Sequence, residues 1–572
     1  MRHLSIKRRL IVKRHLIIAA SAFCAALPAQ PAHAAEIDRL PMLYSSQVMF
    51  QGGIPIVTIM LMEGRDSVSF SADARLKITL YGGQEKTVDS PPRKEWTARV
   101  KDSKPARVAW RPIVAEVPFN EKDLRAEAEK TWAGRGFAVK TFTVGSVFGI
   151  AGRVYDNRTY VVTVVSDKDE DRERSVMLSS DLFKKFGVRV SMYPEVLERP
   201  SGAIEFADGS GKAIGEAKDL AGVVAEGDDG ILVRKIEHGV GYPWHGFEDR
   251  RYQGEILLVL DRAGRLAVVN SIAFPKLLKG LVPSEIFASA HHESLKAQAV
   301  AARSEILAKI GHRHPGNAYL LCAEQHCQVY SGRAREYPET NRAVEATEGE
   351  VLVTRGRIVG AVYSSHCGGH TENNDVAWEQ QPDPALRGKP DLPEGGPSGA
   401  DRKEITTEKK LHAWLSQKPD SWCARSSYGK ADSLRWKTSL SAPEVDRLVN
   451  ARYKIGRVKD VKVVGRGVSG RVTGVKIVGE TGSAHVGREF PVRQLFGGLK
   501  SGMFALSIER GADGWPVRFA FRGGGWGHGV GMCQTGAIGM AEAGLDYRAI
   551  LRHYYSGADI ANVYGAPARE VR

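Results

Sequence analysis

The sequence predicts an α+β fold in which helices surround a β-rich core, preceded by small β and α/β modules. Short β-rich runs separated by Gly, Asp and Pro occupy residues 37–116. Helix and strand patterns alternate over residues 118–250, and an alanine-rich helical pattern follows a hairpin pattern after residue 251. The composition, 42% hydrophobic and 26% charged over 572 residues, is typical of a globular chain and excludes disorder throughout, collagen-like repeats and coiled coil.

The first 34 residues have the pattern of a secretory signal peptide. Six basic residues lie within positions 2–14, an uncharged apolar run follows at 16–27, and Ala32-His33-Ala34 has the small-x-small form of a cleavage site. The apolar run is shorter than the roughly 18 residues of a membrane span. We therefore expect cleavage near Ala34 and export to the periplasm or cell-wall space, without a permanent membrane span. An N-terminal membrane anchor is the alternative.

The charge balance favours an anionic polymer as the partner. The chain carries 81 Lys and Arg against 66 Asp and Glu, a net charge of +15 that falls to +9 without the signal peptide. A protein this basic is attracted to polyanions. Because an exported protein does not meet chromosomal DNA or RNA, we expect a polymer of the cell envelope and no nucleic acid.

Two modules precede the region that carries the chemistry. Residues 35–117 are predicted to form a β-rich N-terminal module, because runs such as IPIVTIML are separated by turn-forming residues. Residues 118–250 are predicted to form a small α/β and β module, in which a helix at 121–136 ends in glycine before several strand patterns. Neither module contains residues in a catalytic pattern.

Residues 251–565 give the sharpest pattern. Two strands joined by Arg262-Ala263-Gly264 form a predicted hairpin, followed by a short helix around residues 274–279. A second helix follows, because Leu295 and Ala299 begin an apolar repeat at helical spacing that ends before Gly311. Residues 380–400, with five prolines and four glycines, are predicted to form an exposed loop.

Three groups of motifs in this region could carry chemistry. They are PSEIFAS at 283–289 with the helix to 303, CAEQHCQVY at 322–330 with YSSHCGGHTE at 363–372, and GGGWGHGVGMCQTGA at 523–537. Their order and spacing over residues 252–560 resemble the SpoIID/LytB family of sporulation stage II D and amidase-enhancer proteins. The resemblance implies a SpoIID-like catalytic region that acts as a lytic transglycosylase on the glycan strands of peptidoglycan, preferentially strands without stem peptides.

The resemblance implies that Glu285 is the catalytic acid, although Ile286-Phe287 replaces the Met-Pro that usually follows. A glycosidic bond is cut by a carboxylic acid that is still protonated near neutral pH, and an apolar pocket provides this by raising the pKa. Ile286 and Phe287 could form such walls. Because Pro283 lies two residues earlier, we expect Glu285 to project from a turn.

The reaction type depends on whether a second carboxylate is present. A hydrolase needs one about 5–9.5 Å away as nucleophile or base, and Glu372 and Asp375 are the candidates. A lytic transglycosylase needs only one, because the 6-hydroxyl of the sugar attacks the anomeric carbon and the same Glu acts as acid and then as base. Catalysis on this route requires no cofactor.

Six further residues are candidate substrate contacts. Gln298 and Arg303 match the family motif and would orient Glu285 or contact sugar hydroxyls, unless they lie on a solvated helix edge. Trp526 could stack on a sugar ring and His528 could bond its hydroxyls, unless both merely pack a glycine-rich turn. Gln328 and Tyr330 of the second group complete the set.

Five cysteines remain after removal of the signal peptide, so they cannot all pair within one chain. An oxidising compartment favours two disulfides and one free thiol. The alternative is a metal site: Cys322, Cys327 and His314 offer zinc ligands, and the family resemblance supports a structural zinc there. Cys367 would be a further ligand or a partner for Cys423.

Two other functions remain open. A non-catalytic cell-wall binding protein that enhances a partner N-acetylmuramoyl-L-alanine amidase is the main alternative, and the presence of Glu285 argues against it. A secreted metalloenzyme is the other, but the sequence lacks HExxH or another compact catalytic zinc motif.

Overall fold

The computed structural model describes residues 39–82, 85–150, 152–166, 170–187, 191–239, 245–378, 381–393 and 404–564. The predicted signal peptide lies outside the described residues, as do residues 380 and 394–400 of the predicted loop. Helices and many strands in several sheets confirm the predicted α+β class. No helix in the described part of the chain has the length and apolar character needed to cross a membrane.

The largest sheet has eight strands and takes strands from all three predicted regions. All pairs are antiparallel except that of Leu321–Cys322, which runs parallel to its neighbour. Leu321–Cys322 pairs with Ile54–Arg65, and in order across the sheet the other strands are Met49–Gln51, Ile54–Arg65, Leu266–Ala273, Glu255–Leu260, Leu220–Ala225, Leu76–Leu80 and Lys86–Ser90. The predicted boundaries at 117 and 250 therefore do not coincide with boundaries between sheets.

A six-stranded antiparallel sheet shares its core with the first. Buried Phe70 and Phe206 of this sheet lie in one apolar cluster with Ile78 and Leu258 of the eight-stranded sheet. In order across the sheet, its strands are Ala213–Lys218, Ser201–Asp208, Trp96–Lys104, Ser67–Ser71, Ile231–His238 and Gly246–Tyr252. The same cluster contains side chains of the two helices that follow residue 273.

A smaller α/β unit has its own core. Trp132 and Leu182 of two helices pack on Val162 and Val164 of a four-stranded sheet. The helices are Lys122–Gly134 and Arg172–Phe186, and the strands in order are Met192–Glu198, Arg107–Pro118, Thr159–Val165 and Ala138–Val144. The helix predicted at 121–136 is confirmed.

The helix His292–Lys309, here called the central helix, is the most deeply buried element near the candidate acid. Its residues from Ser294 to Leu307 are all buried except Lys296, which fits a helix enclosed on nearly every side. Alanines at 297, 299, 301 and 302 allow neighbouring elements to approach closely. The helix ends two residues before Gly311, whose φ of +80° suits glycine, so the predicted stop is confirmed.

The rest of the chain forms short sheets and helices around these cores. The other strands are Val147–Ile150, Arg153–Asp156, Glu350–Thr354, Arg357–Ile358, Tyr363–Ser364, Trp436–Ser441, Val458–Arg466, Val472–Gly479, Ser483–Gly487, Phe504–Arg510, Pro516–Gly523, Met532–Cys533 and Asp559–Asn562. The other α-helices are Arg39–Leu43, Phe274–Glu285, Pro338–Ala346, Asn374–Ala377, Glu408–Ser416, Trp422–Arg425, Ala431–Leu434, Ala442–Asn450, Glu489–Leu495, Gln534–Glu542 and Tyr547–Tyr554.

Part of the predicted loop at 380–400 is packed rather than exposed. Pro384–Leu386 forms a turn of 3-10 helix, and Ala385 and Leu386 are buried. Asp391 has no exposed surface, and its carboxylate accepts hydrogen bonds from buried donors such as the Tyr554 hydroxyl. The proline and glycine content predicted irregular backbone correctly but gave no information on burial.

Candidate active site and two cysteine clusters

Glu285 is the last residue of the helix Phe274–Glu285, here called the Glu285 helix. The helix continues past the predicted end at residue 279 and includes Pro283. A proline so close to the end removes only one backbone hydrogen bond, and the chain turns to extended conformation at Ile286, with φ −134° and ψ 153°. Glu285 thus lies on a final helical turn, and not on a separate turn as predicted.

Glu285 as a residue keeps part of its surface exposed, while its carboxyl is enclosed and accepts a hydrogen bond from the backbone N–H of Val329 at 3.0 Å. Burial raises its pKa to about 7, while the Val329 N–H and the ammonium of Lys309 act in the lowering direction. A large fraction of Glu285 is therefore protonated at neutral pH. Glu285 therefore combines a partly exposed residue with the protonation state of a general acid.

Gln534 connects Glu285 to the central helix. Its side-chain N–H₂ donates to the Glu285 carbonyl at 2.8 Å and to Oε1 of Gln298 at 3.1 Å. Gln298 has no exposed surface, so it holds Gln534 in place and does not contact a ligand. Tyr363 lies beside Glu285: burial raises the pKa of the Tyr363 hydroxyl, and the charge of Glu285 acts in the same direction. Sequence reasoning did not select Gln534 or Tyr363, although both lie within the motifs.

An exposed aromatic pair lies next to Glu285. Phe287 is 60% exposed and stacks on Tyr428 with ring centroids 5.3 Å apart. The hydroxyls of Tyr428 and Ser289 lie 2.7 Å apart and fix the tyrosine. Ile286 is buried in the core, so only Phe287 of the two predicted pocket walls faces the solvent. An exposed aromatic face of this kind suits a sugar ring.

The glycine-rich motif presents Trp526 at the surface and leaves His528 partly exposed. Trp526 is 48% exposed, and its backbone pairs with that of His366. The His528 ring lies 4.8 Å from that of Trp378, and burial lowers its pKa to about 3, so the imidazole is neutral. Gly529 has a φ of +76°, and a Cβ there would lie 2.2 Å from the Arg471 guanidinium, so the motif requires glycine at this position.

Three predicted substrate contacts have side chains that form hydrogen bonds within the core. Arg303 is 1% exposed and donates to the carbonyls of Glu350 and Val344. The Tyr330 hydroxyl donates to Asn270 Oδ1 at 3.1 Å, and Gln328 donates to a carbonyl of the central helix. A polar residue in an apolar helical run was interpreted as a ligand contact, but here it satisfies buried backbone groups.

The two candidates for a second carboxylate have structural partners. Glu372 has no exposed surface and accepts four hydrogen bonds, from the backbone N–H groups of Asn373, Val468 and Ser469 and from the Ser469 hydroxyl. Asp375 pairs with Arg387 at 2.6 Å. Among the described residues, no carboxylate contributes to the pKa shift of Glu285.

The predicted zinc ligands lie together, and one more residue joins them. His314 Nε2 is 3.3 Å from Cys327 Sγ, and His326 Nδ1 is 3.8 Å from the sulfurs of Cys322 and Cys327. One ligand atom from each of the four residues lies within 4.8 Å of the others. Two thiols and two imidazoles fit tetrahedral zinc. We call this set the first cluster.

A second cluster contains Cys367, Asp391, Cys423 and Cys533, whose ligand atoms also lie within 4.8 Å of one another. All four residues are buried. Cys367 and Cys423, one of the predicted pairs, have sulfurs 3.6 Å apart, well beyond the roughly 2.05 Å of a disulfide. The five cysteines of the described residues are free thiols, so the two expected disulfides are absent from this part of the chain.

Comparison with known proteins identifies the region around Glu285. The family model of the stage II sporulation protein matches residues 262–353, and a domain of unknown function (DUF8618) matches residues 372–531. The amidase enhancer of Bacillus subtilis (strain 168) is 30% identical over 306 residues. These matches support the resemblance of this region to the SpoIID/LytB family.

Other relatives match a similar part of the chain. The stage II sporulation protein D of Bacillus amyloliquefaciens is 25% identical over 308 residues, and an uncharacterized protein of Brachyspira hyodysenteriae is 26% identical over 342 residues. These alignments cover 51% and 60% of this chain and 75% and 77% of the relatives. The amidase-enhancer alignment covers 50% of this chain but only 40% of that relative.

The two matched regions contain different parts of the candidate active site. The stage II sporulation match contains Glu285, the central helix and the first cluster. The match to DUF8618 contains Trp526 and His528, but it ends before Gln534. Tyr363 and Gln534 therefore reach the surroundings of Glu285 from either side of the 372–531 region, and Tyr428 lies within that region.

Proposed function

We propose that this protein cuts the glycan strands of peptidoglycan as a lytic transglycosylase, with Glu285 as general acid and base. The observation that carries the proposal is the partly exposed residue Glu285, whose carboxyl pKa burial raises to about 7. An exposed aromatic surface two residues further along the chain supports a sugar as the ligand. The predicted export and the basic net charge fit an anionic wall polymer in the periplasm or cell-wall space.

The proposed reaction uses one carboxyl twice. Protonated Glu285 donates its proton to the glycosidic oxygen as the bond from that oxygen to the anomeric carbon breaks. The 6-hydroxyl of the same sugar attacks the anomeric carbon, and its proton passes to the Glu285 carboxylate. The products are a 1,6-anhydro end and a free hydroxyl on the leaving strand, and Glu285 returns to its protonated form. The reaction consumes no water and requires no second carboxylate.

Other residues have positioning or binding roles in this proposal. The Val329 N–H and Gln534 orient Glu285 from opposite sides, through its carboxylate and its carbonyl. Phe287 with Tyr428 would support one sugar, and Trp526 another further along the strand. Neutral His528 would bond to a sugar hydroxyl without adding charge.

In the first cluster, His314, Cys322, His326 and Cys327 would hold a structural zinc. Four protein ligands close the coordination shell, so the ion would supply a cross-link and no catalytic water. The last of these ligands lies two residues before Val329, whose N–H binds the Glu285 carboxylate. The ion would thereby fix the loop that orients the acid.

The test is mass spectrometry of peptide-free and intact peptidoglycan after incubation with the wild type, Glu285→Gln and Glu345→Gln. Glu345 is the matched control, because its carboxylate is more than half exposed and pairs with Lys279 on the Glu285 helix. We expect 1,6-anhydro ends from the wild type and from Glu345→Gln and none from Glu285→Gln. Reducing ends would instead indicate hydrolysis and contradict the single-carboxylate mechanism.

The second candidate function is enhancement of an amidase, which the name of the Bacillus subtilis relative favours. The same samples test it when a cell-wall amidase is added. A wild type that yields no glycan fragments, yet increases peptide release by the amidase, would favour this function. Glu285→Gln would then enhance as well as the wild type.

A further inference from the structure

We propose that the second cluster, Cys367, Asp391, Cys423 and Cys533, binds a zinc ion that ties the 372–531 region to the rest of the molecule. One ligand atom from each of these residues lies within 4.8 Å of the others. Cys367, Asp391 and Cys423 have no exposed surface, and Cys533 is 1% exposed. Three sulfurs and a carboxylate enclosed together make a donor set for a thiophilic metal.

Two of the donor distances are close to those expected around a tetrahedral metal ion. With Zn–S bonds of about 2.3 Å, two sulfurs on a tetrahedral ion lie about 3.8 Å apart. The sulfurs of Cys367 and Cys423 are 3.6 Å apart, and the Cys367 sulfur is 3.2 Å from Asp391 Oδ2. The Asp391 carboxylate lies within 4.8 Å of all three sulfurs and would be the fourth ligand of the ion.

A shell of hydrogen-bond donors surrounds the cluster, as is usual for metal ligands. The Tyr554 hydroxyl donates to Asp391 Oδ1 at 2.8 Å, and His553 Nε2 lies 3.2 Å from the same oxygen. The sulfur of Cys533 accepts from the backbone N–H groups of Cys367 at 3.1 Å and Gly536 at 3.3 Å. These contacts fix the ligand orientation and favour the thiolate form.

A divalent ion would also compensate the charge of its own ligands, which in the thiolate and carboxylate forms would be very costly in a site with no solvent. The N-terminus of the nine-residue helix Gln534–Glu542 points at Cys533 and offsets part of this charge. A divalent ion supplies the largest compensation.

Two of the ligands flank the 372–531 region in sequence, and two lie within it. Cys367 precedes that region by five residues, Cys533 follows it by two, and Asp391 and Cys423 lie within it. One ion would therefore join four segments that are up to 166 residues apart in sequence. Cys533 also directly precedes Gln534, which donates to Glu285 and Gln298, so the ion would fix that side of the candidate active site.

The experiment is elemental analysis of the purified chain expressed with zinc, for the wild type, Cys423→Ser, Cys327→Ser and the double variant. We expect two zinc ions per wild-type chain, one in each single variant and none in the double variant. Each single variant removes a ligand from one cluster only. Cys423→Ser must therefore contain one zinc ion per chain fewer than the wild type, whether or not the first cluster binds zinc. Zinc that is unchanged in Cys423→Ser overturns the proposal.

Two measurements keep the test independent of variant folding. X-ray absorption at the zinc edge of the wild type should give a mean of about 2.5 sulfur ligands per zinc when both clusters are filled, against 2 for the first cluster alone. Mass spectrometry of the non-reduced, digested wild type should show Cys367, Cys423 and Cys533 as thiols. A mean of 2, or a Cys367–Cys423 disulfide, overturns the proposal.

Discussion

Glu285 and Glu372 are both carboxyls whose pKa burial raises, yet their surroundings differ in kind. Glu285 is half-buried, and its carboxylate accepts one backbone N–H, next to an exposed aromatic ring. Glu372 is fully buried and accepts four hydrogen bonds. A raised pKa alone therefore does not identify a catalytic acid. Solvent access and spare hydrogen-bonding capacity distinguish the group that can exchange a proton.

The structural role of Glu372 follows from what it joins. Its backbone N–H donates to the Gly529 carbonyl at 2.8 Å, and its side chain holds the turn at Val468 and Ser469. The Arg471 guanidinium, which is also buried, donates to the Ser469 hydroxyl at 2.8 Å. Glu372 thus fixes the loop that carries Trp526 and His528.

The largest expected effect comes from exchanging each carboxylate for its amide. Glu285→Gln should reduce transglycosylase activity by at least about 10³-fold, because it removes the acid and the base together. Glu372→Gln should lower the free energy of unfolding by about 2–4 kcal/mol, since buried donors lose their acceptor. Its activity should stay within about tenfold of the wild type at temperatures where it is folded. Initial rates of glycan release and urea unfolding measure the two quantities.

A reversal of this pattern would break the comparison. If Glu372→Gln retained full stability but lost activity, Glu372 would be part of the reaction, and the single-carboxylate mechanism would be wrong. If Glu285→Gln were the strongly destabilised variant at neutral pH, Glu285 would be the structural group. Glu345→Gln, with its exposed carboxylate, serves as the control for both measurements.

The pH dependence sharpens the comparison. Because the Glu285 pKa of about 7 in the folded state lies above its unfolded value of about 4.3, the folded chain keeps a proton that the unfolded chain has lost. Wild-type stability should therefore fall relative to Glu285→Gln as pH rises from about 4.3 to 7, by about 1–3 kcal/mol in total. Activity should fall as pH rises through about 7, because the acid must be protonated.

Urea unfolding of both proteins between pH 4 and 8 measures the stability difference, and rate profiles measure the activity. Glu372 is present in both proteins, so its own titration cancels in the difference. Equal stability of the two proteins at every pH would show that Glu285 is not held in the protonated form. The raised pKa could then not support general acid catalysis.

The sequence predicted the local parts of this site and missed those that depend on the tertiary fold. Glu285, the central helix and the zinc-type spacing of the first cluster are set by residues close together in the chain, so motif and periodicity suffice to find them. Gln534 and Tyr428 lie more than a hundred residues from Glu285 in sequence, and only the packed fold brings them to it. The burial of Arg303 was also missed, because a polar residue in a helical pattern does not reveal whether its side chain is buried.

The smallest expected effect concerns Phe287, which distinguishes the open side of Glu285 from the closed surroundings of Glu372. Phe287→Ala should raise KM for glycan strands about three- to tenfold and leave kcat nearly unchanged, since the ring would bind the sugar equally in the ground and transition states. Phe247→Ala is the matched control, because Phe247 is 56% exposed on a strand of the six-stranded sheet. Equal KM values for the two variants would remove Phe287 from the binding surface, while a fall in kcat alone would indicate that it orients Glu285.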